Sequence, residues 1–429
     1  MTQASDTEDL KKVSRLFTEG KYAEAGELSA VITARSPDNS RAFYLYGLCC
    51  YQTGDKVKAA EQFRRAVALN PQDFDSLFNL GVTSGELRRY TEAIDIYRSL
   101  LEKAPQYTKA LPNLAQALIR TGRYEEGIAA FRQAPKDVRT AALMLEYQCM
   151  FLPMRERAAV CNETLAFAGL PDHERYTALL YRANAEWVLQ DDAALEASLA
   201  AASAIKPQPD NKNFISMSIY KNFLTHLLEY RKANPALYSG SGEPLFLVGD
   251  SHSLSYAGTA VRLEGTDYKI ESQLIVGIKA WHIATQEPNE RREALAHYIA
   301  RLPEGSRLLC AFGEIDCRND SGILPYWKKT GGSLESTVGN LVKGYVVGIT
   351  AMASKRKLQP MFLSVPAPHP MSGDRREVIA LFNSALLKEA GHRFIDLYKR
   401  TLGSGGYADA KYYIDSYHLK PDMLGQASH

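Results

Sequence analysis

The chain of 429 residues is poor in cysteine, has no long apolar run and carries no excess of charge. Its six cysteines, Cys49, Cys50, Cys149, Cys161, Cys310 and Cys317, form no CxxC pair and keep no metal-like spacing with histidine. That excludes a disulfide-built scaffold and argues against a zinc finger or ribbon; most of these thiols are expected to be reduced, buried small hydrophobes. No run of about 18 apolar residues is available to cross a bilayer, so no membrane span is expected. The start, MTQASDTEDLKK, is polar and acidic without an apolar h-region, so no secretory signal is read and a cytoplasmic location is expected. With 51 basic and 49 acidic side chains, a formal net charge of +2, neither sign dominates. This removes the electrostatic argument for nucleic acid or an anionic membrane surface as a partner. What is present is ordinary globular material, 45% hydrophobic and 23% charged, at a length that suggests two to three domains.

The first half is periodic. Pro37, Pro71 and Pro105 stand 34 residues apart, and Pro207 follows 102 residues after Pro105, three further periods. Ala25, Ala59 and Ala93 make a column of small residues, Phe63, Tyr97 and Phe131 a column of large aromatics, and Gly47 and Gly81 another column. Gly20, Gly54 and Gly122 fall at the turn between two predicted helices. Two amphipathic helices cannot bury their apolar faces alone, so neighbouring units must stack. Small residues at the crossing let helices approach, the aromatic fills the gap between units, and proline closes the second helix. This pattern resembles the tetratricopeptide repeat, strongly over 4–137 and more weakly over 138–207, where Ala202 and Pro207 keep the phase but the glycine column is lost. The segment NFISMSIYKNFLTHLLEYRKANP reads as a terminal helix covering the last repeat. The array, residues 4–234, is expected to be an all-α superhelix whose groove takes a protein or peptide ligand.

Residues 235–243 are rich in Pro, Gly and Ser and read as a linker to a second domain, 244–429. There the apolar runs PLFLVGD, YKIESQLIVG, RLLCAFGE, PMFLSVP and RFIDLY alternate with helix-like stretches. Such alternation predicts a parallel sheet with helices on both faces, a three-layer α/β/α domain, with chemistry at the carboxyl ends of the strands. Polar clusters do follow those ends. GDSHS (249–253) resembles the first block of the SGNH (GDSL-type) hydrolases, AFGEIDCR (311–318) stands where that family has its GxND block, and DSYHLKPDMLGQ (415–426) is similar to its DxxH block. The resemblance covers about 244–429. It implies Ser251 as nucleophile, His418 as base and Asp415 as the acid that holds the base, with neither a cofactor nor a metal. It further implies oxyanion donors in the Ser251 N–H and in a glycine N–H after the second strand, for which Gly277 is the candidate.

A serine hydroxyl is a poor nucleophile near neutral pH and needs a base within hydrogen-bond reach and a third group to orient that base. Asp415 and His418, three residues apart, can meet on one tight turn. The chain departs from the family at one point. Aligning Gly313 and Asp316 with the GxND block puts Ile315 at the asparagine, and an alkyl side chain donates nothing. Losing one oxyanion donor costs on the order of 10²–10³ in turnover. Arg318 and Lys279, with Trp281 and His282 beside the latter, are candidate replacements, and His252, Glu314 and Asp316 are candidate contacts to substrate. Each has a plainer reading as well: Ser251 as a helix cap, Asp250 as a brace for its loop, Glu314 and Asp316 as ion-pair partners of Arg318.

Three functions compete on this sequence. The first is a serine-dependent ester hydrolase or O-acyltransferase acting on an acylated glycan or similar ester, with the repeats docking a protein partner or substrate carrier. The second is a catalytically weak or inactive ligand-binding module on a repeat scaffold. The third, metal-assisted phosphoester chemistry through Asp250, His252, Asp316 and His418, lacks the GNH[DE]-type block such enzymes need.

Overall fold

The computed structural model of the chain describes residues 2–285, 287, 289–370 and 375–425. They fall into two compact units, Met1–Thr140 and Ala141–His429.

The first unit consists of four helical hairpins: α1 (Thr2–Thr18) with α2 (Tyr22–Arg35), α3 (Ser40–Gln52) with α4 (Lys56–Leu69), α5 (Phe74–Glu86) with α6 (Tyr90–Lys103), and α7 (Leu111–Arg120) with α8 (Tyr124–Gln133). Asn39, Asp55 and Asp73 start α3, α4 and α5 by accepting the N–H three residues on, which satisfies a donor the helix itself leaves open. The sequence columns have direct packing counterparts. A Cβ added at Gly47 would lie 2.6 Å from the Phe63 ring, and one at Gly81 2.6 Å from the Tyr97 ring, so the missing side chain is where the aromatic sits. Ala25, Ala59 and Ala93 are fully buried. The inter-helix turns at Gly20, Gly54 and Gly122 are left-handed, and Arg88 takes that backbone at the same phase in the third hairpin.

The second unit carries on from α9 (Val138–Phe151) through α10 (Met154–Leu165), α11 (Asp172–Val188), α12 (Asp192–Ser203) and α13 (Lys212–Ala233). Gln190, between α11 and α12, is left-handed two periods after Gly122, so the repeat phase persists where the glycines are gone. A six-stranded sheet follows, built from β1 (Glu243–Gly249), β2 (Ala260–Leu263), β3 (Thr266–Leu274), β4 (Arg307–Ala311), β5 (Gln359–Leu363) and β6 (Phe394–Ile395), in the order β2-β3-β1-β4-β5-β6. The five predicted strands are β1, β3, β4, β5 and β6, and they pair in parallel. The sheet is not wholly parallel, however: β2 is an antiparallel edge strand joined to β3 by the left-handed pair Glu264-Gly265. Two residues with positive φ close a hairpin whose twist matches the strands.

The expected second helical layer is also different. On one face Tyr345 of the long helix Leu334–Ser354 stacks edge-on against Phe362 and Phe312, and the helix Arg376–Ala390 packs beside it. On the other face Leu245, Leu247, Leu309, Met361 and Leu363 are covered by Ala408, Tyr413, Leu419, Met423 and Leu424, from a C-terminal stretch that has only short helical turns. Here apolar side chains on irregular backbone do the work that a helix was expected to do.

Helices α9 to α13 share a core with the sheet region. Trp187, Phe223 and Leu227 cluster with Leu254, Ala257 and Leu274. The Trp187 indole N–H donates to the Leu254 carbonyl at 2.8 Å, and Arg157 donates to the Leu274 carbonyl at 2.7 Å. Tyr238, inside the stretch read as a linker, is buried in the same cluster, so compactness divides the chain at Thr140 and Ala141 while 235–243 lies within the second unit.

Candidate active site

Strand order reverses at β1: the chain passes from β1 to β3 on one side and from β3 to β4 on the other. The crevice at such a point, beyond the carboxyl ends of the strands, is where open α/β sheets hold ligands. Gly249 ends β1 against β4 so closely that a Cβ would lie 2.5 Å from the Ala311 carbonyl oxygen. Asp250 and Ser251 follow at once.

Ser251 starts the short helix His252–Ser255 without capping it through its side chain. Its hydroxyl lies 2.8 Å from His418 Nε2, and His418 Nδ1 lies 2.8 Å from Asp415 Oδ2. The protons follow from the partners. A carboxylate only accepts, so Nδ1 donates to Asp415; Nε2 is then the free lone pair and the Ser251 hydroxyl donates to it. The other oxygen of Asp415 accepts the backbone N–H groups of Tyr417 and His418, both at 2.7 Å, which locks the turn that carries the imidazole. Burial would raise the Asp415 pKa, but the hydrogen bond and charge of His418, with those two N–H groups, bring it down to about 2. The His418 pKa is lowered, by burial first and also by the charge of His252, against the pull of Asp415. Its ring is 2% exposed and lies flat against Phe223 of α13, centroids 3.8 Å apart and planes 15° apart.

His252 stands 4.7 Å from His418, ring to ring. Its Nδ1 is 2.9 Å from Asp250 Oδ1 and its Nε2 3.0 Å from the Tyr417 carbonyl. Both partners are acceptors, so both nitrogens must carry protons and the ring is an imidazolium. Burial opposes that charge, but Asp250 and Glu314 outweigh it and hold the pKa at about 9. His252 therefore braces the 415–418 turn. Asp250, which also accepts the His252 N–H at 3.0 Å, braces His252.

The block after β4 is an ion-pair cluster. Glu314 accepts from Arg318 through Nε and Nη2, at 2.9 and 2.7 Å, and from Arg375 Nη1 at 2.5 Å. Although burial acts to raise it, His252, Arg318 and Arg375 hold the Glu314 pKa at about 2. The Arg318 guanidinium also lies over the Tyr417 ring, 5.3 Å from its centroid. Asp316 is not paired with Arg318. Its two oxygens accept the backbone N–H groups of Ala280 and Trp281, at 2.8 and 3.0 Å, and burial raises its pKa to about 6 against those bonds. It thus starts the short helix Ala280–Ala284 beyond β3. Lys279 donates to the Ser321 carbonyl, and its N–H donates to His282 Nδ1 at 2.9 Å. Gly277 forms a left-handed turn just after β3, next to Arg291. Behind His252, a cavity of about 30 Å³ lined by Asp250, His252, Tyr256, Glu314 and Ser364 has room for water rather than for a substrate.

The structure thus brings Ser251, His418 and Asp415 into one relay and commits His252, Glu314, Asp316 and Lys279 to protein partners. Of the four residues considered for metal binding, Asp250 and His252 bond each other, His418 bonds Asp415 and Asp316 holds a helix end, so their polar atoms are turned to protein partners. Phe223 and Arg375 were not anticipated. Phe223 lies in the segment read as a terminal repeat helix, where an aromatic at helical spacing signals core, and nothing local ties Arg375 to Glu314.

Among known families, a model described as the Cilia and flagella-associated protein 70 middle TPR-like domain matches residues 18–222. No curated protein matches the chain. Among solved structures, the chain is similar to MamA of AMB-1, at 27% identity and TM-score 0.28 over 29% of this chain and 68% of that one. It is also similar to Pseudomonas aeruginosa PilF, at 13% identity and TM-score 0.41 over 51% of this chain and 98% of that one. A tetratricopeptide repeat protein from Parabacteroides merdae matches at 18% identity and TM-score 0.40, over 55% and 94% of the two chains. The helical part thus matches a tetratricopeptide-like model, and a sheet domain follows it; among the described residues no helix is long and apolar enough to cross a membrane.

Proposed function

We propose that this protein is a serine-dependent ester hydrolase or O-acyltransferase of SGNH type, whose repeats dock a protein partner or substrate carrier. The observation that carries the reading is the relay from Ser251 through His418 to Asp415, both links at 2.8 Å, at the carboxyl end of β1. Ser251 attacks an acyl carbonyl while His418 takes its proton; the protonated imidazole then returns that proton to the departing alcohol, leaving an acyl-serine. Water, or a second hydroxyl, releases the acyl group through the same base. Asp415 keeps the productive tautomer and offsets the imidazolium charge. The Ser251 and Gly277 N–H groups are the backbone donors for the oxyanion. Trp281 and Tyr417, both well exposed, offer ring faces that suit a sugar beside the ester, which favours an acylated glycan.

A fluorophosphonate probe that reacts with activated serines tests this. Labelling of the full-length protein that disappears in Ser251→Ala supports the enzyme. A folded protein that takes no label favours the second reading, a ligand-binding module, which the alkyl side chain of Ile315 at the asparagine position motivates.

A further inference from the structure

Helix α13 comes to the site from outside the α/β segment and lays Phe223 on His418. Tyr220 lies three positions earlier, and residues three apart share a helix face with Cβ atoms about 5–6 Å apart. Half-buried, Tyr220 packs on the cluster that contains Leu254 and Ala257, from the turn after Ser251, and Leu274 at the end of β3. Its hydroxyl makes no hydrogen bond among the described residues.

Three charged groups act on this phenol. They are Asp250 at the end of β1, Arg318 after β4, and Arg157, whose guanidinium is anchored on the Leu274 carbonyl at the end of β3. These three strand ends surround the crevice in which the Ser251 and Gly277 N–H groups would receive an oxyanion. Burial, together with the Asp250 charge, pushes the phenol pKa up, so it remains a proton donor. The backbone donors there lack the side-chain donor that Ile315 cannot supply, and Arg318 is already engaged twice by Glu314.

We propose that the Tyr220 hydroxyl, from a helix outside the sheet domain, is the third oxyanion donor for Ser251. A phenol is a competent donor in this role, because it needs only to point at the developing charge in a site that excludes water. The inference rests on the serine reading above. It adds that the site is complete only with α13 in place, so the last helix of the repeat-like region takes part in the chemistry.

Tyr220→Phe keeps the ring and removes only the hydroxyl. In the full-length protein the rate of fluorophosphonate labelling at Ser251, whose phosphoryl oxygen takes the oxyanion's place, should fall on the order of 10². The thermal midpoint should stay at the wild-type value, which separates a lost donor from a lost fold. A labelling rate within about twofold of wild type overturns the proposal, and leaves the serine reading standing if Ser251→Ala still abolishes the label. Labelling that survives Ser251→Ala, or no labelling of the wild type, overturns both.

Discussion

Two turns at the strand ends each pair an aspartate with a histidine, Asp250 with His252 and Asp415 with His418. Both imidazoles set Nδ1 against the carboxylate, at 2.9 and 2.8 Å, and they part at the far nitrogen. His252 Nε2 meets a carbonyl, while His418 Nε2 meets the Ser251 hydroxyl. A carbonyl can only accept, so His252 is held as a cation. A hydroxyl can donate, so His418 keeps a lone pair. The same two residue types make a fixed charge in one turn and, in the other, leave the lone pair that the proposed mechanism uses as its base. What faces the second nitrogen decides the role, and the Asp–His pairing by itself does not.

The sharpest way to break this contrast is at the partner of His418. Asp415→Asn keeps the shape of the turn but offers an N–H to Nδ1, favouring the wrong tautomer; the rate of probe labelling should fall about 10⁴-fold. The next effect belongs to the fixed charge. His252→Ala leaves Asp250 buried without its partner and should cost about 3–5 kcal/mol of stability, read from denaturant unfolding.

Replacing the charge while keeping a donor is subtler. In His252→Gln the cation beside His418 is gone, so the pKa of the base should rise and the acid limb of the labelling profile should move to higher pH. An unmoved limb would show that His252 acts only as a brace. The same residue predicts an alkaline limit. Its pKa is raised in the folded protein, so its stabilisation is complete below its ordinary value of about 6.5 and is lost as pH rises through about 9. Thermal midpoints should therefore drop through that range in the wild type and much less in His252→Gln. Asp415 works with the opposite sign: its stabilisation is present above about 3.9 and lost as pH falls through about 2. The smallest effect is expected at the stacked ring. Phe223→Leu keeps most of the apolar volume but gives up the flat contact with His418, worth about 1 kcal/mol, roughly a fivefold loss of labelling rate.

Much of the layout was readable from residue pattern alone. The 34-residue columns became hairpins in which Phe63 and Tyr97 occupy the space left by Gly47 and Gly81. Five apolar runs became five parallel strands. The edge strand β2 escaped because Glu264-Gly265 is a weaker turn signal than Asn-Gly and the strand has only four residues. The coil layer over one sheet face escaped because single apolar residues on irregular backbone have no period to detect. Asp316 read as a site residue from its motif, and its real partners, the Ala280 and Trp281 N–H groups, come from a different loop.

The sequence by itself determined what lies within one turn or one period: the repeat phase, the strand–helix alternation, and the pairing of Asp415 with the histidine three residues on. Local spacing constrains only neighbours along the chain. The tertiary structure decided the rest, setting Ser251 against His418 across 167 residues and the Tyr417 carbonyl against His252 across 165. It also laid Phe223 on His418. These contacts depend on how the strand ends and α13 pack together, and packing is a property of the whole core that no local spacing encodes.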